Sequence, residues 1–240
     1  MRGLIVIVSV HIADIGVRAV RAVLRERPRP GETPGLRYAE TTLTGAIAAG
    51  PPKVRPGRAA LLASWDDDAA LDRFLAEDPL PQRLAGGWHV RLRPLRFSGS
   101  WGPLPVEIGP GAVEDEEDEE DGPVAVLTLG QLRLRRALPF LRANSRAAGR
   151  AAADPAMAAS VALARPPRFV GTFSLWQSAS AMRRYAYGSA QPEHKEVVRE
   201  HQAKPFHHEA GFLRCRPYGA QGTLDGQEPV AAAALAPRIP

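Results

Sequence analysis

Residues 65–74 read Trp65-Asp66-Asp67-Asp68-Ala69-Ala70-Leu71-Asp72-Arg73-Phe74, and residues 176–185 read Trp176-Gln177-Ser178-Ala179-Ser180-Ala181-Met182-Arg183-Arg184-Tyr185. Laid over one another, Trp65 meets Trp176, Ala70 meets Ala181, Leu71 meets Met182, Arg73 meets Arg184 and Phe74 meets Tyr185. Two further echoes flank this one. Gly3 to Val10 resembles Gly122 to Leu129, and Arg91-Leu92-Arg93-Pro94 resembles Arg214-Cys215-Arg216-Pro217. All three occur in the same order, which is the signature of an internal duplication.

Each half reads as strand, helix, strand, strand, helix, strand. In the first half, strands are expected at Leu4–Ile12, Arg37–Thr44, Ala59–Trp65 and Trp88–Phe97. Helices are expected at Ile15–Arg25, where Val17, Val20, Val23 and Leu24 form an apolar stripe, and at Asp68–Glu77, with Asp66 or Asp67 as cap. In the second half the strands are Val124–Leu129, Ala156–Leu163, Arg168–Trp176 and Phe212–Tyr218. Its helices are Pro139–Ala152, with proline at the favoured first position, and Ala179–Tyr187 behind Ser178. Helical spacing resumes at Glu193–Gln202.

This order is the ferredoxin-like βαββαβ unit. Its sheet carries helices on one face and needs cover on the other. Two such units in one chain satisfy each other, so the fold class expected is α+β: two fused ferredoxin-like repeats forming a pseudo-dimeric α+β barrel. The organisation expected is a first repeat over 1–108, an acidic linker over 109–121, a second repeat over 122–226 and a disordered tail over 227–240. Glu114 to Asp121 are all carboxylates, a run whose self-repulsion suits a solvated linker. The tail is rich in Ala and Pro.

Composition narrows the class. The chain has 240 residues, 45% of them hydrophobic, enough for a substantial core. The formal charge is +5, yet the arginines are scattered and no basic helix is interleaved with aromatics, so no nucleic-acid partner is expected. The single cysteine, Cys215, cannot form an internal disulfide. Its mid-strand position suits a small apolar residue better than a thiolate ligand. The apolar N-terminus is too short for a signal peptide and suits a buried strand. No segment is long and apolar enough to cross a bilayer, and a cytoplasmic protein with at most peripheral membrane contact is expected. Nucleotide-binding glycine motifs are missing.

The repeats differ in one informative place. The interval from Trp176 to Arg214 is 12 residues longer than that from Trp65 to Arg91. The longer interval carries His194, His201, His207 and His208, four of the six histidines. His194, Val197, Val198 and His201 fall on one helical face, with Glu193, Lys195, Glu196, Arg199 and Glu200 on the other. A buried imidazole needs a hydrogen-bond partner or a metal. His194 and His201 are about 10.5 Å apart along such a helix at 1.5 Å per residue, too far to ligate the same side of one metal. His194 is the first candidate because it follows the Pro192 turn and lies nearer the helix after Trp176; His201 is the second. Phe206-His207-His208-Glu209 lacks zinc-signature spacing and reads as a loop entering a strand.

A family likeness gathers on several of these stretches: Gly87-Trp88-His89-Val90-Arg91, Gly99-Ser100-Trp101, Gly122 to Thr128, Phe173-Ser174-Leu175-Trp176, Met182 to Tyr187, and His194. Together they resemble the spheroidene monooxygenase family over most of residues 1–226. That resemblance implies a haem (iron) protein inserting oxygen into an acyclic carotenoid or related isoprenoid. It implies an external electron donor such as a ferredoxin, and it leaves homo-oligomerisation open. His194 is carried over as the candidate iron ligand, with His201 as runner-up. Arg183 and Arg184 become candidates for the haem propionates, and Trp176 and Phe206 for the cavity lining. Rival readings stand beside these. Arg184 and Trp176 have mates in Arg73 and Trp65 and so suit structural roles. The whole protein also suits a haem- or apolar-ligand binder without turnover, or a cofactor-free oxygenase using His194 as base.

Overall fold

A computed structural model describes residues 6–47, 53–102, 104, 122–141, 153–187 and 206–235. The first half contains β1 (Ile7–Asp14), α1 (Val17–Arg25), β2 (Leu36–Ala46), β3 (Lys53–Trp65), α2 (Asp68–Glu77), α3 (Pro79–Leu84) and β4 (Trp88–Ser100). The second contains β5 (Val124–Leu132), β6 (Met157–Arg165), β7 (Phe169–Trp176), α4 (Ala179–Tyr187) and β8 (His207–Gln221), followed by α5 (Pro229–Leu235). The strands close into one barrel in the order β1-β3-β2-β6-β7-β5-β8-β4. Each half therefore runs 4-1-3-2, the antiparallel ferredoxin-like order, and the halves join at β2–β6 and β4–β8. The barrel expected from the repeat is the barrel observed.

Alternation along each strand divides the residues between two layers. Val8, Val10, Ile12, Leu62, Trp88, Val90, Leu92, Leu127, Leu129, Phe173, Leu213 and Cys215 all point inward and are buried. The barrel is thus filled by side chains, as an eight-stranded barrel of this size allows. Cys215 is fully buried, and burial pushes its thiol far up. It serves as a core residue, not as a reactive thiolate.

Register sharpens the duplication. Ile7 pairs with Trp65, and Val124 pairs with Trp176. The strand echo read from the glycines is therefore displaced by two residues: Val10 corresponds to Leu127, not to Leu129. An even displacement leaves every side chain on its own face. Ser9 pairs with Arg91 and Val126 with Arg214, so those two arginines are true equivalents. The tryptophans keep one role by different means. Trp65 Nε1 donates to Ser9 Oγ at 3.0 Å and its ring packs 4.8 Å from Phe74. In the second half valine replaces that serine, and Trp176 Nε1 donates to Ser174 Oγ at 3.0 Å while packing 5.0 Å from Tyr185.

The helices obey their capping signals. Asp67 accepts from Ala70 N at 2.8 Å, and Ser178 Oγ accepts from Ala181 N at 3.1 Å. Asp78 ends α2 and also caps α3, accepting from Leu80 N at 2.8 Å. The sequence reading stopped at Asp78-Pro79 and missed α3, because proline both ends one helix and opens the next. Val17 is 48% exposed, so the buried stripe of α1 is Val20 and Val23.

Two polar clasps tie the halves together. Arg165 on β6 reaches Glu40, Thr41 and the Leu24 carbonyl, at 3.1 Å to Glu40 Oε1. Burial raises the Glu40 carboxyl above its usual range, while Arg27 and Arg165 draw it back. In the second clasp Arg58, 5% exposed, is held between Asp14 and Asp225.

The tail departs from expectation. Pro229–Leu235 is helical, not disordered, and Ala233 is buried with the barrel core. The reason is local and tertiary together. Alanine is the best helix former, and proline suits the first turn. Glu228 accepts from Trp88 Nε1 at 3.0 Å and from Val230 N at 3.2 Å, fixing the helix start to the barrel end. The acidic run 114–121, residues 236–240 and all but the start of the expected Pro139–Ala152 helix lie outside the described residues.

Candidate functional site

With the barrel filled, a ligand must lie on an outer face. The two outer faces are built alike and finished differently. On the first sheet, Ser9, His11 and Ala13 of β1 and Ala59, Leu61, Ala63 and Trp65 of β3 are all buried. They are roofed by Val20 and Val23 of α1, Leu71 and Phe74 of α2, and Leu80 and Leu84 of α3.

His11 and His89 sit side by side on that closed face, rings stacked 4.8 Å apart at 11°. Burial, then His89 and Arg91, push the His11 imidazole down to about 3; burial, then Arg91, lowers His89 as well. His11 is therefore neutral in the fold. In the unfolded chain each histidine takes up a proton below about pH 6.5. Native His11 does not until far lower pH, so stability present above about pH 6.5 drains away as acid is added. His11 alone contributes a slope of up to about 1.4 kcal/mol per pH unit. Urea midpoints measured from pH 7.5 to pH 4.5 should fall steeply, and His11→Leu should flatten the curve; an unchanged slope in that variant contradicts the assignment.

The second sheet has the same rows with other residues. Phe212, Thr128 and Thr172 take the positions of His89, His11 and Leu61. Ala210, Gly130 and Val170 form the row beyond, and Ala162 and Ala164 of β6 extend it. Of these, Thr128, Thr172, Val170, Ala162, Ala164 and Ala210 are half-buried, and Phe212 is 49% exposed. Helix α4 covers the upper row through Ala181, Met182 and Tyr185. The result is a floor made largely of small side chains, with Phe212 and Val170 among them. It measures roughly 13 Å from the Arg214 row to the Gly130 row and roughly 14 Å across four strands, from about 3.3 Å per residue and 4.8 Å per strand.

The far edge of this floor carries an imidazole. His207 opens β8 and lies against Gly130: a Cβ there would stand 2.6 Å from His207 Cδ2. Glycine is thus what lets the ring approach the strand this closely. Phe140 packs on His207 at 4.9 Å and on Phe206 at 5.9 Å, and Arg136 stands 5.1 Å over the Phe206 ring. Arg133 N donates to the Phe206 carbonyl at 2.9 Å. His208 points elsewhere, 3.0 Å from Arg168.

The residues singled out from sequence fall as follows. Trp176, 3% exposed, belongs to the packed layer under α4, like its mate Trp65. Phe206, 1% exposed, is a packing anchor at the foot of the floor beside His207. Arg183 and Arg184 lie on α4, the first half-buried and the second exposed. His194 and His201 lie outside the described residues. Sequence reasoning missed His207, taken there for loop, and missed the floor itself. The available signal was the strand register, which sets Gly130 and Thr128 where the first half has Ala13 and His11. Among the described residues no cluster of three or more histidine, cysteine or carboxylate side chains could hold a bare metal ion. A planar macrocycle is a different case. A floor of mostly small side chains with an imidazole at its edge suits one, and Arg183 and Arg184 on α4 and Arg214 on β8 are candidates to meet its carboxylates.

A spheroidene monooxygenase of Rubrivivax gelatinosus is 29% identical over 222 residues, covering 86% of this chain and 78% of that protein. One from Rhodobacter capsulatus is 24% identical over 218 residues, covering 89% and 88%. The chain's relatives are spheroidene monooxygenases. It is accordingly an oxidoreductase of the monooxygenase kind, and the sequence resemblance drawn above holds. No family model matches the chain. Among solved structures, an aldoxime dehydratase superposes with a TM-score of 0.54 at 14% identity, covering 99% of this chain and 90% of that one. Another, in complex with butyraldoxime, gives 0.53 at 11% identity, covering 91% and 81%. These two share the fold. Among the described residues no helix is long and apolar enough to cross a membrane.

Proposed function

We propose that this monooxygenase uses a haem seated on the outer face of the second sheet to oxygenate an apolar, acyclic isoprenoid of carotenoid type. The observation that carries the reading is the contrast between the two outer faces among the described residues: one is roofed and buried, the other half-buried and paved mostly with small residues. A bound haem supplies the activated oxygen that ordinary side chains cannot generate. This chain supplies the rest. Thr128, Thr172, Gly130 and Ala210 offer a surface of small side chains, and Phe212 adds an apolar ring to it. Electrons are assigned to an external donor such as a ferredoxin.

His194 is the proposed iron ligand and His201 the second choice; His207 is the histidine among the described residues that touches the floor. With a reducing system present, oxygen uptake should depend on an added acyclic carotenoid. His194→Ala should abolish both uptake and the haem absorbance, while His201→Ala and His207→Ala retain the absorbance. Retention of the band in His194→Ala, with loss in one of the other two, moves the ligand to that residue. Uptake indifferent to the polyene, with the haem band present, leaves a haem-binding barrel without this substrate.

A further inference from the structure

We infer that residues 133–141 form a foot that seats the second sheet on an anionic lipid bilayer. That an isoprenoid substrate passes from the bilayer to the floor at this point rests on the reading above; the seating stands on the segment's own make-up. Three large apolar side chains are exposed close together here: Leu134 at 50%, Leu138 at 57% and Leu141 at 37%. Single exposed leucines are ordinary, but a cluster marks a surface built to be covered. The segment is a 3-10 turn over Leu134–Arg136 and continues as helix over 137–141. Spacings of four and three residues place the leucines along one side. Arg136 and Phe140, also four apart, take the opposite side and meet the barrel. Phe140 packs on His207 at 4.9 Å and on Phe206 at 5.9 Å, and Arg136 stands over the Phe206 ring. The contacts that fix the floor's far edge thus hold the leucine ridge outward.

Charge selects the occupant. Arg133 and Arg135 flank Leu134, and both are exposed. Arg133 is fixed in place, its Nε donating to the His207 carbonyl at 3.1 Å. Residues 133–141 contain no carboxylate. Leucines that enter the acyl layer beside arginines that stay with headgroup phosphates are the make-up of an interfacial segment. A second copy of this chain would bring arginines against arginines across a twofold axis. An acidic protein would match the arginines; an anionic bilayer matches both, taking the leucines in its hydrocarbon and the arginines at its surface. A long acyclic hydrocarbon partitions into that same layer. Only Phe140 and His207 separate the ridge from the floor.

The test is sedimentation of the purified full chain with vesicles of phosphatidylcholine alone, and of phosphatidylcholine with about one-third phosphatidylglycerol. The chain should bind the mixed vesicles about tenfold more tightly, and high salt should narrow that gap. Leu134→Ser combined with Leu138→Ser should lower affinity for the mixed vesicles about tenfold or more, with melting temperature and hemin titration unchanged. Arg135→Glu should reduce the preference for anionic lipid. A double leucine variant that binds vesicles as wild type does overturns the assignment. So does a wild type that ignores both vesicles: self-association lost in the double variant would then give the ridge to a second copy, and retention on polyglutamate lost in Arg135→Glu would give it to an acidic protein. Each of these results leaves the haem reading standing. A missing Soret band with vesicle binding intact removes the haem reading and the substrate route and keeps the seating.

Discussion

Thr128→Trp should abolish haem binding while leaving the protein folded. Thr128 is at the centre of the second floor, with Phe212 on one side and Thr172 on the other. It is half-buried, so an indole there has room to lie across the surface instead of being forced into a filled core. The indole would occupy the area the macrocycle needs. The far-ultraviolet circular dichroism should match wild type and the melting temperature should move by a few degrees at most. Hemin titration should then show affinity reduced by a hundredfold or more. A Thr128→Trp protein that binds hemin as wild type does would place the ligand elsewhere.

The opposite behaviour is expected one layer inward. Phe173 is fully buried in the barrel, with its ring 5.6 Å from Trp88. Phe173→Ala removes a large apolar side chain from a close-packed interior and should cost about 3–5 kcal/mol. For a domain of this size that lowers the melting temperature by about 10 °C. Denaturant unfolding of the two proteins measures it. A loss below about 1 kcal/mol would mean that the interior is loosely filled, and the case for excluding the barrel as ligand cavity would weaken. The two variants together separate a structural layer from a binding layer lying on opposite faces of the same strands.

Much of this architecture was legible in residues 65–74 and 176–185. A tryptophan at a strand end, a helix cap and an apolar helical stripe recur with the same spacing, and such local signals survive divergence because each half must solve the same packing problem. The helices Asp68–Glu77 and Ala179–Tyr187 appear with the bounds their caps imply. What sequence order alone did not reveal depends on register. Gly3 and Gly122 invited an alignment that the strand pairing moves by two residues. Strand periodicity fixes the face but not the depth. The floor was invisible for the same reason: Thr128, Thr172, Gly130 and Ala210 come from three strands and carry no motif. His207 was read as loop because the apolar alternation that marks β8 begins only at Phe212. The helical tail was missed because its stability comes from Glu228 meeting Trp88, a pairing across 140 residues.

The absorbance spectrum of the chain, purified after expression with a haem supply and then titrated with hemin, bears most directly on the whole account. The second sheet's floor predicts a Soret band that saturates at one equivalent. A folded protein that stays colourless as hemin is added would contradict it.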